Sequence, residues 1–339
     1  DEPERLYNGE AISVAGYGNG AYTLYYYAVD HVGNREAVRT FEFYLDKLPP
    51  ILAADVLGDR FIVDDQIYFS GRSKLKLTAV DNKSGVRNLK YSVDYEDFKE
   101  YEKPFYLPSK PGIHVVRFYA VDEMANATED RTQIDQKYYQ FKHNVRKIYV
   151  DLTGPTLSHG FRGQHYSRGD TLYIGPRTQI ELAAQDGESG MQKITYSIDR
   201  EQAENEYDQA FTIEENGYHF AEYFGYDKVN NRNVGTFSFY VDALAPELSW
   251  QYSVEPIGRA ENVDKYPSYL ALYAGATDAI SGTEEISYAI NGGTFRKFKD
   301  KITGFRQKQV NTVTLRGKDV FGNTSTQTLR FYVADSKGE

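Results

Sequence analysis

Gly112-Ile-His-Val-Val-Arg-Phe-Tyr-Ala-Val-Asp122-Glu-Met-Ala-Asn126 reads as one β-strand running into a tight turn, and the chain writes it four times. The other copies run from Gly20 to Asn34, from Gly217 to Asn231 and from Gln309 to Asn323. Each alternates as a strand with one buried face must. Counting back by twos from the Asp, one face reads Tyr22, Leu24, Tyr26, Ala28 in the first copy and His114, Val116, Phe118, Ala120 in the second. The third and fourth read His219, Ala221, Tyr223, Gly225 and Asn311, Val313, Leu315, Gly317. The opposite face has Tyr25, Arg117, Glu222 and Thr314 at its midpoint, which water tolerates. The first face is expected to enter a core, its small residue before the Asp letting a facing sheet come close. A repeat of this kind decides the architecture.

Working outward, a second marker precedes three of the copies: Asp81…Ser84-Gly85, Asp186…Ser189-Gly190 and Asp278…Ser281-Gly282. A strand opening on Tyr91, Tyr196 or Tyr288 follows each at the same offset. After the Asp turn comes a partner strand ending at Asp46, Asp151, Asp242 or Asp335, and the first three are followed four residues later by Pro50, Pro155 and Pro246. These Pro-bearing, Gly-poor junctions predict stiff joints. Between Thr128 and Lys147 the first complete repeat carries extra polar and Tyr residues, which suit a projecting hairpin. The expected division is 1–48, the C-terminal half of a repeat without its N-terminal half; 49–152, with the long hairpin; 153–243; and 244–339. Each complete repeat holds about seven short strands and no helical period, as in an immunoglobulin or fibronectin type III sandwich. The fold class is therefore all-β, tandem Ig-like β-sandwich domains arranged as an extended rod. The missing half-repeat suggests a fragment of something longer, since half a sandwich leaves its inner face without a partner.

Composition agrees. The chain has 339 residues, enough for about three domains, with 30 Tyr and 19 Phe against 2 Met. No stretch approaches the roughly 18 apolar residues of a membrane helix. Cys is absent, which excludes disulfides and thiolate metal sites. A net charge of −10 argues against nucleic acid as a partner.

The spaced set Asp-x-x-Ser-Gly, Tyr-Ser-Val-Asp, Gly-x-His-x-Val-x-Phe-x-Ala-x-Asp and Tyr-Val-Asp-x-x-x-Pro resembles the Ig-like repeats of secreted and outer-membrane-associated bacterial proteins. It is similar to repeats of leptospiral surface adhesins and of Bacteroidota envelope proteins, over essentially the whole chain. The resemblance implies spacers, stalks, scaffolds and adhesive surfaces, with no shared active site. The fourth repeat departs at Gln309 and Asn291, and the third has Asn230-Asn231 where a turn Gly is usual.

The recurring Asp30, Asp122, Asp227 and Asp319, with Ser84, Ser189 and Ser281, read first as turn-bracing residues that accept or donate locally. The sharper alternative is Ca²⁺, held by Asp81, Asp94 and Asp122 or by the junction Asp46. No other cofactor is expected. His143, His159 and His165 would need a fortunate approach to bind Zn²⁺, and His114 and His219 suit hydrogen-bonded rings at a sandwich corner. The Ser residues lack a base at matching offset and there is no nucleophile elbow, so the chain is not expected to be an enzyme. Tyr25 and Tyr27, with Tyr138 and Tyr139 in the long hairpin, are the candidate interaction surface.

The expected role is a non-catalytic structural or interaction module, a scaffold or spacer of a Gram-negative cell envelope, such as an accessory part of an outer-membrane complex. The alternatives are a surface adhesin for a host protein or glycan, and a non-catalytic appendage of a secreted enzyme. Partners are envelope proteins or host protein and glycan. The expected place is the periplasm or cell surface, associated with the outer membrane.

Overall fold

The computed structural model describes residues 4–64, 66–128 and 145–335. Among them every regular element is a strand. The chain forms two compact units: residues 1–154 with 187–190 and 227–231, and residues 155–186, 191–226 and 232–339.

The first unit pairs Gly20–Tyr26 with Arg39–Leu45 as an antiparallel two-stranded sheet. It then builds a sandwich. Ile51–Leu57, Lys74–Val80 and Phe105–Tyr106 form one sheet. The facing sheet has six strands, in the order Arg60–Val63, Gln66–Ser70, Val145–Asp151, Gly112–Asp122, Val86–Val93, Lys99–Glu100. Leu75 and Leu77 of the small sheet meet Phe69, Val116, Phe118, Ile148 and Val150 of the large one, all buried.

The second unit repeats this plan twice. Its two-stranded sheets are Thr156–Arg162 with Gln179–Gln185 and Glu247–Tyr252 with Leu272–Thr277. Each packs against a six-stranded sheet with the Asp strand inside it, Gly217–Asp227 and Gln309–Asp319. The cores gather Ile180, Leu182, Tyr223 and Phe239 in one case and Leu272, Val313, Leu315 and Phe331 in the other.

The alternation seen in the sequence is the burial pattern. His114, Val116, Phe118 and Ala120 are buried, as are His219, Ala221 and Tyr223, and Asn311, Val313 and Leu315. A Cβ at Gly225 would meet Leu157 and Ala184, and one at Gly317 would meet Leu248, so the facing sheet does come close there. In the 1–48 segment the equivalent sheet is only partly covered: Tyr22, Leu24 and Phe43 are half-buried, while Tyr26 and Phe41 are exposed.

The stretch from Ile51 to Ser70 holds a first strand, Ile51–Leu57, followed by a small hairpin of Arg60–Val63 with Gln66–Ser70. The second arm of that hairpin runs parallel to the last strand of the repeat, Gln66–Ser70 beside Val145–Asp151. The same holds for Thr171–Ile174 beside Arg232–Val241 and Val263–Tyr266 beside Thr324–Val333. The stretch changes sheets midway, so no single alternation runs through it. Gly58 and Gly163 make the change at φ +121° and +123°, against the backbone of Ser73 and Thr178, where a side chain would collide.

Candidate metal centre at the repeat junctions

The Asp that ends each Asp strand closes its own turn. Asp122 Oδ1 accepts the Asn126 amide at 2.8 Å and Oδ2 accepts the Asn126 side chain at 2.7 Å. Asp319 and Asn323 do the same, as do Asp227 with Asn231 and Asp30 with Asn34. The Asn side chain then donates a second time, to the backbone carbonyl of the junction Asp about 80 residues upstream: Asp46, Asp151 or Asp242, at 3.0 Å each.

The Asp-x-x-Ser-Gly marker is a second turn. Asp81 Oδ1 accepts from Lys83 and Gly85, and Asp278 Oδ1 accepts from Ile280, Ser281 and Gly282. Gly85, Gly190 and Gly282 sit near φ +86°, a conformation that selects glycine. The Ser amide of this turn donates to the carboxylate of the junction Asp: Ser84 to Asp46, Ser189 to Asp151 and Ser281 to Asp242, at 3.0–3.1 Å.

Two turns and one junction thus converge. Carboxylate oxygens of Asp46, Asp81 and Asp122 lie within 4.8 Å of one another, and those of Asp242, Asp278 and Asp319 form an equal set. Asp122, Asp242 and Asp319 are buried. Among the described residues no Lys or Arg side chain pairs with any of the six. Lys83 sets its ammonium over the Tyr44 ring, and Lys318 pairs with Glu284 at 2.7 Å.

Burial pushes the Asp242 carboxyl above the usual carboxylate range, with the charges of Asp278 and Asp319 adding to the rise and Ser281 opposing it. Burial likewise raises Asp227, with hydrogen bonds from Asn231 opposing and the charge of Asp151 adding. Asp30 fills the same turn position but is exposed, and the amide and side chain of Asn34 hold its carboxyl below the usual range. Burial at Asp227 therefore reverses the direction seen at exposed Asp30.

Asp94, grouped with Asp81 and Asp122 from the sequence, goes elsewhere. Its Oδ2 meets His114 Nδ1 at 2.6 Å and its Oδ1 accepts the Val115 amide at 3.0 Å, while His114 Nε2 reaches the Lys110 carbonyl. Asp199 and His219 repeat this pair, and Asn291 and Asn311 replace it in the last repeat. His159 stacks on Phe237 at 4.1 Å, and burial holds its pKa below the ordinary value. His165 bonds the Gly163 carbonyl, and among the described residues neither ring belongs to a cluster of metal-ligating side chains. Tyr25 is 67% exposed. Tyr27 is covered by the Arg35 guanidinium at 3.6 Å and donates to Glu4. Tyr138, Tyr139 and His143 lie outside the described residues.

The sequence reading left out the double role of Asn126, Asn231 and Asn323. Their distance from the junction Asp, 80, 80 and 81 residues, was the available signal.

No family model matches the chain, and no curated protein matches it. Several solved structures are similar. A Ca²⁺-stabilized adhesin that helps an Antarctic bacterium bind ice is 12% identical, covering 93% of this chain and 82% of its own, with a TM-score of 0.35. A tetra-tandem repeat from the extending region of a large adhesion protein is 14% identical over 96% of this chain and 84% of its own, TM-score 0.29. The fibronectin(III)-like modules of Clostridium thermocellum CbhA are 14% identical over 56% and 94%, TM-score 0.30. Likeness at this level concerns the repeated β-sandwich alone.

Proposed function

We propose that the chain is a non-catalytic spacer or scaffold of a bacterial cell surface or envelope, built so that repeats within each compact unit are tied at their junctions. The observation that supports this is the use of the recurring polar residues. The Asp, Ser and Asn side chains that look like chemistry bind backbone groups across the junctions. The joint between the last two repeats has a second contact. Tyr166 stacks on Phe321 at 5.6 Å and donates to the Ser281 carbonyl, and Gln164 donates to the Val320 carbonyl. A spacer needs joints of this kind, and an enzyme does not. Calcium is the one cofactor this reading admits, because the junction donors are all oxygens.

A second reading, an adhesin for a host protein or glycan, is favoured by exposed Tyr25 and Tyr26 on the 1–48 segment. Affinity capture from the native envelope separates the two. Recovery of a stoichiometric envelope complex supports the spacer or scaffold. Free protein that binds host cells or glycans, and loses that binding on Tyr25→Ala, supports the adhesin.

A further inference from the structure

Ser281 is 2% exposed and Ser189 4% exposed, and neither hydroxyl has a hydrogen-bond partner; the Ser84 hydroxyl is buried in the same state. An orphaned hydroxyl at one such position is an oddity. At all three repeats it needs a reason. Each belongs to the residue whose amide is bonded to the junction carboxylate at 3.0–3.1 Å, so each hydroxyl sits beside a junction carboxylate. Asp81 and Asp278 each use one oxygen for turn amides, and Asp242 uses only Oδ2. Three carboxylates with no Lys or Arg in direct ion-pair contact among the described residues, together with an unused hydroxyl, form an oxygen-only donor set with excess negative charge. Such a set calls for a hard cation.

Among hard cations, Mg²⁺ usually keeps several waters and binds through one or two carboxylates, whereas Ca²⁺ accepts many protein oxygens in a flexible shell, so three converging carboxylates favour Ca²⁺.

We propose that each junction set, Asp46/Asp81/Asp122 with Ser84 and Asp242/Asp278/Asp319 with Ser281, binds one calcium ion that joins two consecutive repeats. The ion takes ligands from both sides of a joint, and its loss loosens the joint while leaving each sandwich core in place. The assignment goes beyond the spacer reading and fails separately from it, since envelope capture does not depend on the metal.

The test uses the whole chain, stripped with EDTA and titrated with CaCl₂ by calorimetry, with thermal unfolding recorded in CaCl₂ and in EDTA. Calcium should bind at about one equivalent per set and raise Tm by several degrees. Asp278→Asn keeps the oxygen that holds the turn and should remove one equivalent. Ser281→Ala should leave Tm in EDTA unchanged, because its hydroxyl has no partner there, and weaken one calcium site severalfold. Equal Tm in CaCl₂ and EDTA with no binding heat would overturn the proposal. So would calcium binding that both variants leave untouched, or a magnesium response equal to that of calcium.

Discussion

Asn323 donates from its side-chain amide to the backbone carbonyl of Asp242, 81 residues earlier, at 3.0 Å, while also donating to its own turn partner Asp319 at 2.7 Å. One side chain therefore ties a turn to the end of the preceding repeat. Asn323→Ala leaves the fully buried Asp319 carboxylate and the Asp242 carbonyl each short of a donor. The expected cost is about 1–3 kcal/mol by denaturant unfolding. Asn323→Asp is expected to cost more, because it adds a fourth carboxylate to the set.

The turn that follows the Asp strand needs a left-handed residue. Gly33 and Gly322 supply it at φ +87°, but Ala125 holds the same position at φ +68°. A non-glycine residue there is strained, so Ala125→Gly is expected to stabilise by about 0.5–1 kcal/mol, seen as a higher Tm.

The Asp199–His219 pair and the Asn291–Asn311 pair do the same work with different chemistry. His219→Asn alone sets an amide oxygen against the Asp199 carboxylate. Adding Asp199→Asn restores the donor and acceptor order of the last repeat. A double-mutant cycle should show the second change recovering on the order of 1 kcal/mol of what the first loses.

Burial pushes the Tyr252 hydroxyl up to about 12, with Tyr266 and Asp264 contributing. The unfolded chain ionises this group near its ordinary 10.0, and the folded chain does not. The folded state then holds more protons, so stability is full below about pH 10 and falls between pH 10 and about 12. Tyr252→Phe should flatten that fall in unfolding curves taken across the window.

The strand alternation is legible in the sequence because a period of two is local. Val116, Phe118 and Ala120 are buried for a reason three residues can show. The split of Ile51 to Ser70 is not legible, because it depends on a parallel partner, Val145–Asp151, far along the chain. Asp81 and Asp122 are brought together with Asp46, whereas the sequence reading grouped them with Asp94 and offered Asp46 only as an alternative. Asp94 looks equivalent by type and is removed by the hairpin that hands its carboxylate to His114 and the Val115 amide. Tyr27 alternates outward, yet Arg35 from across the turn covers its ring.

Hydrogen exchange read by mass spectrometry, on the whole chain in calcium and in chelator, tests most directly whether the junction sets bind an ion that joins the repeats. The account predicts that calcium slows exchange at the turns around Asp81–Gly85, Asp122–Asn126, Asp278–Gly282 and Asp319–Asn323, with the core strands unchanged. Identical exchange in both conditions, or slowing spread evenly through the cores, would contradict it.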